Sequence, residues 1–263
     1  MKRAYIDAKE GQMHYRFAGS GEPIILLHMS GSNSGEYEQT GNFLSENYTV
    51  YALDLIGFGG SDKPLKKYYT MDEHAQTVIA FMDSLGIESA YFVGNLVGAT
   101  ISLHIASNRP ERVKGLFLAS FGACYAPDYK MFQSIGRLPA LQPISVADDG
   151  SHLAEMWART AKYNELTEVV EARTLAYHIA GEWGESLHWA LFNDVDMAEI
   201  FPKVKAPVML ITAPAENDVK MVELVCSMLP VAEYKIVDAL NPFFSRKYPK
   251  EYSEMISAFF SNI

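Results

Sequence analysis

Cysteine is nearly absent: Cys124 and Cys226 are the two that 263 residues contain. Their spacing fits neither a C-x-x-C redox motif nor a zinc ligand set, so no disulfide framework and no metal are expected. Positive charge is scarce as well. Against 32 Asp and Glu stand 22 Lys and Arg, a net charge of −10. Nucleic acids and anionic membranes are held through basic patches, so neither is expected as a partner. No apolar run approaches the roughly 18 residues of a membrane span. Met1-Lys2-Arg3 leads into the charged residues Asp7, Lys9 and Glu10 rather than into a signal-peptide core. The expectation is a cytoplasmic protein. Histidine stops early too, for none follows His188.

What is present is an alternation of short apolar runs with helical patterns. "PIILLHM" (23–29) is continuously apolar, as a strand covered on both faces would be. Strands are also expected at 13–19, 48–55, 90–94, 113–120, 206–212 and 232–239. Helices are expected at 71–85, 99–107 and 249–260. This rhythm predicts an α/β fold, a mostly parallel sheet flanked by helices. Between 122 and 196 strand signals vanish and only helical stretches remain, such as 152–163 and 165–180. The expected organisation is a core formed by 1–121 and 197–263, with 122–196 inserted as a helical cap.

At 91–100 the chain reads "YFVGNLVGAT". Gly94-Asn95-Leu96-Val97-Gly98 has the outline of G-x-S-x-G, the sharp strand-to-helix turn on which many hydrolases mount a nucleophile. "YALDLIGFGGSDKP" (51–64) precedes it, and strand, turn, helix and strand follow without a gap from 69 to 120. This chain resembles the α/β-hydrolase fold family, particularly its epoxide hydrolase and haloalkane dehalogenase-like branch. The likeness runs through "VKAPVMLITAPAEND" (204–218) and "EYKIVDALNPFFSRKYPKEYSEMISAFF" (233–260), and the inserted helices fall where that family carries its cap.

The resemblance implies a triad of nucleophile, histidine base and orienting acid. Here the nucleophile position is Leu96, which cannot attack. The histidine position is Asn241, whose amide cannot take up a proton near neutral pH. The acid position falls on Asn217, or on Asp218 if the loop is one residue longer. The oxyanion turn, usually H-G-x, reads His28-Met29-Ser30. Losing nucleophile, base and oxyanion glycine together is a pattern of divergence rather than of one inactivating change.

Candidate ligand-binding residues are Ser30, Asn95, Leu96, the Val97 amide, Ser120 at the end of its strand, Trp183 and Asn241. Trp157, Trp183 and Trp189 all lie in the expected cap, which suits a small apolar or aromatic molecule, although packing of cap on core would use the same rings. No cofactor is implied, and nothing sets an oligomeric state. The first functional reading is therefore binding of such a molecule without ester or halide hydrolysis. The alternative is a non-standard hydrolase or lyase working through the Val97 amide, Ser30 and a relocated base, His28 or His178. An ordinary serine hydrolase in a shifted alignment fails: the only other glycine-flanked turn, "GSNSG" (31–35), has Asn33 at its centre.

Overall fold

The computed structural model describes residues 1–9, 11–120, 147–162 and 166–263, with backbone alone at 192–193 and 216–217. Eight strands form one sheet in the order β1-β2-β4-β3-β5-β6-β7-β8. They are β1 (Lys2–Ala8), β2 (Gly11–Ala18), β3 (Glu22–Leu27), β4 (Tyr48–Leu53), β5 (Ala90–Asn95), β6 (Val113–Ala119), β7 (Val208–Thr212) and β8 (Ala232–Ile236). β2 pairs antiparallel with β1 and β4; every other pairing is parallel. This is the α/β architecture that the alternation of apolar runs implied.

The helices are α1 (Glu38–Leu44), α2 (Met71–Ser84), α3 (Val97–Asn108), α4 (Ser151–Ala161), α5 (Thr167–Ala180), α6 (Glu182–Asn193), α7 (Met197–Ile200), α8 (Glu216–Met228), α9 (Phe244–Lys247) and α10 (Pro249–Phe260). Successive strand residues face opposite sides, and β3 shows the consequence. Ile24 and Leu26 join the core under α1 and α10, while Ile25 and Leu27 join the core under α2, α3, α6 and α8. Local chemistry fixes the helix starts. At α2 a capping box is complete: Thr70 Oγ1 accepts from Glu73 N at 3.2 Å, and Glu73 Oε2 accepts from Thr70 N at 3.1 Å.

β1, α1, α7, α8 and α9 had not been expected, and α6 only as part of the helical insertion. β1 is an edge strand in which only Ile6 is buried, so it carries no apolar run. α4, α5 and α6 fall between β6 and β7; residues 122–146 and 163–165 of the expected cap lie outside the described residues. Among the described residues no helix is long and apolar enough to cross a membrane.

Candidate functional site at the elbow

β5 ends at Asn95 and α3 begins at Val97, so the whole reversal falls on Leu96, with φ 50° and ψ −113°. A positive φ costs a branched side chain of order 1–3 kcal/mol unless its surroundings enforce it. Both flanking glycines do enforce it. A Cβ on Gly98 would lie 2.1 Å from Leu27 O, and one on Gly94 would lie 2.5 Å from Ala99 N. Strand and helix approach too closely for any side chain at either place, so the turn keeps its tight form whatever stands at its apex.

Leu96 packs against Met29, Val169 of α5 and Phe243, three residues that are 3–5% exposed. The oxyanion methionine, the first residues of α5 and the loop after β8 thus meet over the elbow as apolar groups. Leu96 itself remains half-buried.

The polar candidates around it are committed elsewhere. His28 is fully buried; its Nδ1 lies 2.8 Å from Met29 O, and its Nε2 accepts from Leu55 N at 3.1 Å. These partners put the proton on Nδ1 and occupy the Nε2 lone pair. Burial pushes its pKa down, against opposing contributions from the Met29 carbonyl, Asp54 and Glu36. His28 thus fastens β3 to the loop after β4, with both ring nitrogens engaged. Ser30 is engaged as well. Its hydroxyl donates to Gly184 O at 3.1 Å, and its carbonyl accepts from Arg173 Nη1 at 2.6 Å, tying the turn to α6 and α5.

Asn241 forms a turn of its own: its Oδ1 accepts from Phe243 N at 2.8 Å. Asn95 donates both amide hydrogens, to Glu36 Oε1 at 2.7 Å and to Pro242 O at 2.8 Å. It is a buried strut, and its Oδ1 has no hydrogen-bond partner among the described residues. Glu36, 1% exposed, also accepts from Met29 N at 3.3 Å. The acid expected on the loop after β7 is not on a loop. α8 starts at Glu216, one residue after its Ala215 cap, so 217 and 218 lie in its first turn; the side chain of Asn217 is outside the described residues.

Trp183 is buried against the core. A Cβ on Gly57 would fall 2.2 Å from its ring, and Tyr68 meets it edge-on at 5.2 Å. Trp183 is thus the wedge that seats α6 on the core. His178 packs edge-on against His152 and Tyr177, and burial, then the neighbouring His152, lowers its pKa. Ser120, the residue after β6, has φ 52° and is half-buried. The Val97 amide opens α3, where first-turn N–H groups and the helix dipole favour electron-rich atoms.

Sequence reasoning missed Glu36, Val169, Phe243 and Arg173. Glu36 sits in "SNSGEYEQT", where nothing in the composition signals burial, and its partner Asn95 is 59 residues away.

A family model described as the alpha/beta hydrolase fold matches residues 22–213. Over 116 residues the chain is 34% identical to haloalkane dehalogenase 2 of Mycobacterium tuberculosis, a match covering 44% of this chain and 41% of that one. Over 132 residues it is 35% identical to 2-hydroxy-6-oxo-6-phenylhexa-2,4-dienoate hydrolase of Comamonas testosteroni, covering 47% and 44%. The match spans less than half the length of these curated relatives. An epoxide hydrolase from Vigna radiata superposes with a TM-score of 0.78 at 17% identity, over 100% of this chain and 98% of that one. A hydrolase from Pseudomonas aeruginosa gives 0.78 at 18%, over 98% of each. At such identities the structures share the fold alone.

Proposed function

The chain belongs to the α/β-hydrolase fold family, and from that premise we propose that it binds a small apolar or aromatic molecule at the elbow without hydrolysing it. One observation carries this reading: the apex residue is Leu96, ringed by Met29, Val169 and Phe243. Acyl or alkyl transfer needs a nucleophile and a group to accept its proton. Leucine supplies neither, Asn241 is no base, and the His28 lone pair is already taken. The alternative, a non-standard hydrolase or lyase, would need a relocated base, and with the His28 lone pair engaged the candidate left for it is His178.

An apolar guest would cover the exposed part of Leu96, gaining about 25 cal/mol for each Å² removed from water. The Comamonas relative is named for a substrate that carries a phenyl group, and a ring of that size is the kind of guest such a patch takes. The test is a fluorescence titration with N-phenyl-1-naphthylamine, a neutral apolar probe. Saturable binding at one site is expected, weakened at least tenfold by Leu96→Asp and unchanged by Trp157→Ala on exposed α4. No saturation, or equal binding by Leu96→Asp, contradicts the reading.

A further inference from the structure

Beside the elbow, on the far side of Glu36, two guanidinium groups converge on one glycine. Gly35 lies in the 3-10 turn Ser34–Tyr37 that leads into α1. The place where a Cβ of residue 35 would stand is 3.6 Å from Arg246 Nη2 and 3.7 Å from Arg16 Nη2. The atom nearest that place is Asn33 Oδ1 at 2.8 Å, an acceptor turned to the Gly35 amide, with the two guanidinium nitrogens beyond it, and Gly35 is partly open to solvent. Arg16 comes from β2 and Arg246 from α9, so only the fold brings them together.

Their existing partners account for one arginine and not for the other. Arg16 Nε donates to Ser34 Oγ at 3.2 Å, and its Nη1 lies 3.0 Å from Glu38 Oε1. Among the described residues the Arg246 guanidinium makes no hydrogen bond and no ion pair, although it is largely buried. The nearby carboxylates are otherwise engaged. Glu36 takes the N–H groups of Asn95 and Met29, and Glu38 faces Arg16. Burial depresses the Arg246 pKa, Arg16 depresses it further, and Glu36 and Glu38 oppose that only in part. Two like charges held side by side, one of them without a partner, disfavour each other. The Gly35 amide is satisfied by Asn33 Oδ1 at 2.9 Å, so the nitrogens left to act are those of the two side chains.

We infer that Arg16 and Arg246 form a binding site for a tetrahedral oxyanion, a phosphate group, seated beyond the bare Cα of Gly35. One Nη2 of each guanidinium near a single point can reach two oxygens of a phosphate, each through a charge-assisted hydrogen bond. The glycine matters because a Cβ there would occupy the approach. The phosphate is either the free ion or the end of a larger molecule. This site is separate from the apolar one at Leu96 and does not depend on it.

Calorimetric titration of the full chain at low salt tests this, with inorganic phosphate and phenyl phosphate as the two probes and chloride at matched ionic strength as control. One saturable site is expected, with chloride giving none. Tighter binding of phenyl phosphate identifies the end of a larger molecule; equal binding identifies the free ion. Arg246→Gln should weaken phosphate at least tenfold, Arg246→Lys by an intermediate factor, and Lys247→Gln by less than twofold. Should Arg246→Gln fail to fold, Arg246→Lys decides, since it keeps the charge and loses the fork. Absence of saturation, an unchanged Arg246→Lys, or an equal loss in Lys247→Gln overturns the site.

Discussion

Asn95 and Leu96 are adjacent in the chain and face opposite environments. Asn95 points into a polar strut in which Glu36, Met29 N and Pro242 O are joined at 2.7–3.3 Å. Leu96 points into an apolar ring of Met29, Val169 and Phe243. The backbone between them is constrained by the close approaches at Gly94 and Gly98 and by the bond from Leu96 N to Ala119 O at 3.2 Å. What the contrast teaches is that the elbow's shape and its chemistry are separable. Shape is held by close packing of β5, β3 and α3 and by the strut beneath. The apex side chain contributes nothing to that shape, so it is free to become leucine.

The contrast can be broken from either side. Glu36→Ala removes a buried carboxylate and strands the donors of Asn95 and Met29, so it should cost about 3–5 kcal/mol. Leu96→Ala removes a half-buried side chain from a strained position and should cost only about 1 kcal/mol. Urea denaturation of both variants measures the pair; equal losses would erase the distinction.

A second test sharpens the contrast between satisfied and unsatisfied buried polar groups. His74 on α2 is fully buried between Tyr68 and Trp183, and neither ring nitrogen has a hydrogen-bond partner among the described residues. Burial holds its pKa down to about 4, against 6.5 when free. The folded state therefore prefers the neutral ring. Its contribution is fully present above pH 6.5 and is lost as the pH falls toward 4. At pH 4.5 protonation should have removed about 3 kcal/mol relative to pH 7.5. His74→Phe should abolish that share of the acid loss, read from urea midpoints at the two pH values. His188, whose pKa burial also lowers to about 4, should leave a remainder. An unaltered acid limb in His74→Phe would contradict this account.

The fold was legible where both faces of an element are buried. β3 and β5 are continuous apolar runs because helices cover them on each side. β1 left no trace: only Ile6 is buried in it, and its sequence carries no apolar run. The elbow was legible from glycine spacing, and the steric contacts of Gly94 and Gly98 explain why that spacing is demanding. Leu96 and Asn241 could be read as chemically inert from residue type alone. What surrounds them could not be read. Glu36 meets Asn95, and Arg173 meets Ser30, 143 residues away, only once the sheet has formed. Trp183 and Ser30 looked like ligand groups because an aromatic ring and a hydroxyl suit binding as well as packing. Only their partners decide between the two.

The central claim is that this elbow carries no activated nucleophile. Labelling of the purified full chain with a fluorescent fluorophosphonate, followed by mass spectrometry of the intact protein, tests it most directly. The account predicts no adduct on the wild type. It also predicts none on Leu96→Ser, because a hydroxyl at the apex would still lack a base at Asn241. One equivalent of adduct on the wild-type chain would contradict it.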